Sequence, residues 1–204
     1  MYATGLDRLV VRMLQAACRV MWGFPPRMIP FIVGRMGAVR AVVWFARNMP
    51  RYMSTLKVLG PVRTHLACVT ISLRNGCSYC AYGHAYALEL FHLRDRDRLF
   101  PIAAAEIAEW IDLDARQLRD RLRAVLQQAG LHVEALWVDR TLDLVAGAGP
   151  MDAAEARIAH LVRMVGTMNG IATANDVPCD EAQSTINKDR ALKARYTTLR
   201  AGVA

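Results

Sequence analysis

Cys77-Ser78-Tyr79-Cys80, with His84 four residues further on, is the part of the chain whose residue types and spacing can do chemistry. Asn75-Gly76 stands directly before it and breaks any preceding helix. A new helix starting at about Cys77 sets Cys77 near the N-cap and Cys80 near the third helical position. Backbone N–H groups are unpaired there, and the helix dipole presents partial positive charge. Both effects stabilise a thiolate, the form that attacks disulfides and peroxides. Two intervening residues also let the sulfurs close a disulfide at a helix start. His84 falls on the same face as Cys80. An imidazole there can take a proton from the thiol or return one to a leaving group.

Other readings of these residues stay open. One is a zinc site built from Cys77, Cys80, His84 and a further ligand, although no second Cys/His pair of its own follows. Another is a pair of packing cysteines, since buried Cys is common. A third is a redox-sensing or binding protein without useful turnover. Cys18, Cys68 and Cys179 are scattered and read as buried small residues. His92, His132 and His160 read as ordinary surface or core histidines. Tyr79, Tyr82 and Tyr86 form a stripe that reads as core.

The elements that must hold the pair are helical. Leu6 to Met21 has Leu6, Leu9, Val10, Met13, Ala17 and Val20 at helical spacing, with Arg8, Arg12 and Arg19 opposite. Ile29 to Asn48 is a second helical region, broken near Gly34 or Gly37 and stopping before Pro50. Tyr52 to Leu59 adds a short helix. Val62 to Arg74 is the helix before the Asn-Gly break, and about Cys77 to Leu93 the helix after it. Asp95 to Arg98 reads as a charged loop. Further helices are expected at about 101–110, 114–129, 131–146 and 152–173. Asp114 and Asp152 suit N-caps, and Gly130 a stop. Pro178 marks a break, and Asp180 to Arg200 reads as a polar terminal helix that frays.

Composition agrees with an all-α chain. Of 204 residues, 54% are hydrophobic and 22% charged, which excludes disorder. Alternating β-branched runs are scarce. The expected organisation is one all-helical domain over 1–204. A basic helical extension, 1–59, packs on a redox core, 60–175, and 176–204 forms a polar helix or tail. Arg35 and Arg40 interrupt the most apolar stretch, so no membrane span is read, and a cytoplasmic location is expected. Five cysteines, with only one close pair, do not make a secreted disulfide framework. Met1 to Thr64 carries ten Lys/Arg against Asp7 alone, a charge of +9, so the whole +8 excess belongs to this third. An acidic partner or an anionic membrane surface could meet it. A nucleic-acid partner is not expected, because no recognised motif accompanies the charge.

The run Asn75-Gly76-Cys77-Ser78-Tyr79-Cys80 followed by His84 resembles the signature of the alkylhydroperoxidase-D-like branch of the carboxymuconolactone decarboxylase family. The likeness is specific over about 65–91, looser over 152–173, and absent from most of the N-terminal third. It implies an all-helical bundle with the Cys pair at the N-terminus of a central helix, assembled as a homo-oligomer, a trimer or larger. It also implies roles. Cys80 would be the attacking, peroxide-facing thiol, Cys77 its resolving partner and His84 a proton relay. No metal or bound cofactor is implied; an external dithiol, in the best-known system a lipoyl-bearing protein, returns the electrons. The decarboxylases that name the family lack this cysteine pair, so the motif argues against decarboxylation. Two positions depart from the pattern. His65 stands where redox members carry a glutamate, twelve residues before the first cysteine, and Tyr79 where the best-studied members have a second histidine. His65 is a second relay member or a core histidine. The expected function is a thiol peroxidase or disulfide oxidoreductase working through Cys77 and Cys80, with His84 and His65 moving protons.

Overall fold

A computed structural model of the protein describes residues 4–202. The outermost residues of the expected 1–59 and 176–204 segments lie outside the described residues. The described chain is an all-α, multi-helix bundle. In order, the helices are α1 (Gly5–Trp22), α2 (Ile29–Met36), α3 (Ala38–Leu59), α4 (Pro61–Arg74), α5 (Ser78–Arg96), α6 (Ala104–Ala108), α7 (Ala115–Gln128), α8 (His132–Val145), α9 (Ala153–Thr173) and α10 (Arg190–Ala201). Short 3-10 turns cover Trp110–Asp112 and Thr185–Lys188.

Local chemistry sets most boundaries. Asp114 accepts hydrogen bonds from the Arg116 and Gln117 N–H groups, and Gln117 answers in a capping box. Asp152 caps α9 through the Glu155 N–H at 2.8 Å. Gly37, at φ 80°, makes the break between α2 and α3. Together these two helices reach the apolar length of a membrane span, but across a 117° bend; no single described helix is long and apolar enough to cross a membrane.

α4 and α5 lie between two apolar clusters. One gathers α1, α2, α3 and α9 with Ala67, Cys68 and Ile71 of α4 and Cys77, Tyr79 and Cys80. The other gathers α6, α7 and α8 with Leu66, Val69 and Leu73 of α4 and Ala85, Leu88 and Leu93 of α5. Every α5 residue from Tyr79 to Leu93 except Tyr82 is buried. A helix buried on nearly all faces along its middle is fixed in place by the elements around it.

Four expectations are corrected. Pro50 does not stop a helix: α3 runs through it. The proline is exposed, as is Ala46, whose carbonyl loses its partner and stays open to water. Ala41, Phe45, Tyr52 and Thr55 are buried on both sides of it, and this continuous packed face outweighs the lost bond. On α1 the buried face is Val10, Val11, Leu14, Cys18 and Trp22. Leu6, Leu9, Met13, Ala17 and Val20, expected to face inward, are exposed. The helix carries two apolar stripes, and spacing alone does not choose between them. Asp95 and Arg96 continue α5, so the loop begins at Asp97. Finally, the C-terminal segment is no fraying helix from Asp180. Val177, Ala182, Ser184 and Ile186 are buried, and the strap they form crosses α5 where the Gln183 N–H donates to the Gly83 carbonyl at 3.0 Å. A Cβ on Gly83 would lie 2.6 Å from Gln183 Cγ, so any larger residue there would have to displace the Gln183 side chain. Farther on, Arg200 of α10 pairs with the fully buried Glu89 of α5 and donates to the Phe100 and Ile102 carbonyls.

Candidate functional site

The turn from α4 to α5 builds the site. Gly76 takes φ 66°, which lets the Cys77 N–H reach the Ser72 carbonyl at 2.9 Å. Cys77 then becomes the N-cap of α5, and its sulfur accepts the Cys80 backbone N–H at 3.4 Å. A sulfur in this position satisfies a helix-end donor and feels the positive end of the helix.

The two thiols are not equivalent. Cys77, 2% exposed, lines a cleft of about 370 Å³ together with Ser78, Thr173, Val177 and Cys179. Its pKa is lowered to about 7. The largest cause is a hydrogen bond from the Cys80 thiol; burial works against it, and the Cys80 N–H, Asn169 and Thr173 add further donors. Cys80 is fully buried and lines no part of the cleft. Its pKa is raised, first because it donates to Cys77 and then by burial. A thiolate on Cys77 beside a protonated Cys80 is therefore the favoured arrangement near neutral pH. The resemblance implied the opposite division, with Cys80 facing peroxide.

His84 of α5 and His65 of α4 meet each other, and neither ring hydrogen-bonds a cysteine sulfur. Their Nδ1 atoms are 3.2 Å apart, and both rings are buried. His65 also stacks on Phe91. Burial lowers the His84 pKa to about 3, and it lowers His65 strongly, with His84 adding repulsion. Both rings are neutral at physiological pH. One must carry its proton on Nδ1 and the other on Nε2 for the bond to form. The Nε2 atoms of both have no partner, so the pair retains one free donor and one free acceptor.

Two residues of the site were not read from the sequence. Asn169, fully buried on α9, accepts from Asn75 Nδ2 at 2.9 Å, donates to Ser72 Oγ at 3.1 Å and helps hold the pKa of both thiols down. Thr173 lies one turn on; its hydroxyl donates to the Gly76 carbonyl at 3.4 Å, and it too helps hold the Cys77 pKa down. The signal was a pair of polar residues, four apart, in the apolar run of 152–173. Cys179, expected to be buried, is exposed because it follows Pro178 on the strap, and it lines the Cys77 cleft. Tyr79 is buried as expected and donates to Asp180 at 2.9 Å. Asp180 also pairs with Arg27, tying the strap to the α1–α2 turn beside the site.

Among the described residues no three His, Cys, Asp or Glu side chains come together as a metal-ligand set. The alternative zinc reading of Cys77, Cys80 and His84 therefore has no ligand set behind it: the His84 Nδ1 atom is directed at His65, which takes one donor out of the three. Comparison with protein-family models, with curated proteins and with solved structures finds no match to this chain.

Proposed function

We propose that the protein is a dithiol–disulfide redox enzyme that reduces hydroperoxides through Cys77 and Cys80, the activity implied by its resemblance to alkylhydroperoxidase-D-like proteins. The observation that carries the reading is the cleft-lining Cys77 sulfur, held near pKa 7 and hydrogen-bonded to the Cys80 thiol. The same observation favours Cys77 over Cys80 as the attacking group.

The Cys77 thiolate attacks the terminal oxygen of a hydroperoxide. The O–O bond breaks, the alkoxide takes a proton to leave as an alcohol, and Cys77 becomes a sulfenic acid. The Cys80 thiol then displaces hydroxide from that sulfur. One S–S bond forms and one water leaves, the Cys80 proton being consumed. An external dithiol, such as a lipoyl-bearing protein, restores the pair by two exchanges and is itself oxidised to a disulfide. His84, one turn from Cys80 and bonded to His65, is suited to relay the Cys80 proton without becoming charged. No metal or bound cofactor takes part. A homo-oligomer, a trimer or larger, and a cytoplasmic location belong to the same proposal.

His65 favours a second reading, a redox sensor on the same site without useful turnover. Redox relatives carry a glutamate there, and a neutral imidazole supplies no negative charge to raise the basicity of His84. Stopped-flow oxidation of the reduced protein by hydrogen peroxide and by an alkyl hydroperoxide separates the two. Rapid oxidation that is lost in Cys77→Ser, with disulfide lost in Cys80→Ser and turnover sustained by a reduced lipoyl donor, supports the enzyme. Oxidation without donor-driven turnover supports the sensor. Oxidation that is slow and indifferent to both substitutions defeats both.

A further inference from the structure

A second cleft among the described residues is separate from the cysteines. It has a volume of about 940 Å³ and lies between α3 and α9, at the size of a small-molecule site. Its floor is apolar: Val39 is 68% exposed, Val43 41%, and Trp44 and Ile171 complete it. Gly166 and Gly170, one turn apart on α9, keep the opposite wall low. Arg35, Arg40 and Arg47 stand on the rim, and no acidic residue lines it. All three are exposed, and none enters an ion pair among the described residues. Three unpaired guanidinium groups above an uncovered aliphatic surface ask for a ligand with an anionic head and an apolar body.

We infer that the α3–α9 cleft binds a free, single-chain anionic amphiphile, its carboxylate or phosphate head held by Arg40 and Arg47 and its alkyl chain on Val39, Val43 and Ile171. This site does not depend on the redox chemistry. Gly170 gives a clean block. Its φ is not in the left-handed region, and a Cβ there meets nothing within 4 Å, so a leucine fills the cleft without straining the helix.

Calorimetric titration of the full chain with laurate, below its micelle concentration, tests the site. Laurate and dodecyl phosphate should each bind saturably, one per chain. Butyrate, lacking the chain, and dodecyltrimethylammonium, with the opposite charge, should not. Arg40→Gln with Arg47→Gln should weaken binding about tenfold or more. Gly170→Leu should abolish it while the helical circular dichroism is kept. The inference is overturned if laurate does not saturate, if the cationic surfactant binds equally, or if Gly170→Leu leaves binding intact. Binding confined to anionic vesicles overturns it in favour of a membrane surface. A concentration-dependent dimer that Gly170→Leu dissolves, with no laurate bound, overturns it in favour of a second copy of the chain.

Discussion

The Nδ1 atoms of His65 and His84 lie 3.2 Å apart inside the protein, so one neutral imidazole donates to the other, burial keeping both rings uncharged near neutral pH. Burial of this pair makes stability depend on pH. Both folded pKa values are depressed from the ordinary 6.5, His84 to about 3. The unfolded chain therefore binds more protons at pH values between the depressed folded pKa and about 6.5. The stabilisation is complete above 6.5 and is lost progressively as pH falls towards 3. Urea unfolding at pH 7.5 and at pH 5 should show the loss, with a limiting slope of about 1.4 kcal/mol per pH unit for each histidine. His65→Phe should reduce that slope; an unchanged slope would place the titration elsewhere.

Thiolate absorbance at 240 nm should rise with a midpoint near pH 7 and lose that transition in Cys77→Ser. Asn169→Ala and Thr173→Ala each remove a group that helps hold the Cys77 pKa down, so each should move the midpoint upward, by less than about one unit. Oxidation at pH 7 should slow in step. A midpoint unmoved by Asn169→Ala would mean that α9 does not tune the site.

Leu14 and Leu9 of α1 should behave oppositely. Leu14→Ala empties a packed position and should destabilise by about 2–4 kcal/mol in urea unfolding. Leu9→Ala should change stability by less than about 0.5 kcal/mol, because Leu9 is 64% exposed. Equal losses would mean that the outer stripe of α1 is covered.

Glu89 is fully buried on α5, and its cation is Arg200, close to the end of the chain. Arg200→Ala leaves the buried Glu89 carboxylate without its cation, held only by the Ala104 N–H and the Tyr196 hydroxyl, and should destabilise by about 3 kcal/mol or more. Arg200→Met combined with Glu89→Gln should recover much of that loss. A fraying C-terminus would show no effect from either variant, so the comparison also tests whether α10 is part of the packed structure.

Short-range features were determined by the sequence itself. The Asn-Gly break, the start of α5 at the Cys pair, and the caps at Asp114 and Asp152 depend on groups within about four residues of one another, and spacing specifies such contacts directly. The central position of α5 was legible because it is apolar on two faces, that of Ala87, Leu88 and Phe91 and that of the tyrosine stripe. What tertiary structure decided were choices between locally equal alternatives. Both stripes of α1 have helical spacing, and packing on α2 and α3 selected Val10, Leu14 and Cys18. Pro50 was a stop by local rules and an exposed interior position once both flanks were anchored. The meeting of His65 with His84 rests on the packing of α4 against α5, and the difference between Cys77 and Cys80 rests first on the pairing of the two thiols and then on how deeply each is buried, with Thr173, some ninety residues away, adding to it. The pairing is local, but burial is supplied by distant segments that no local pattern encodes.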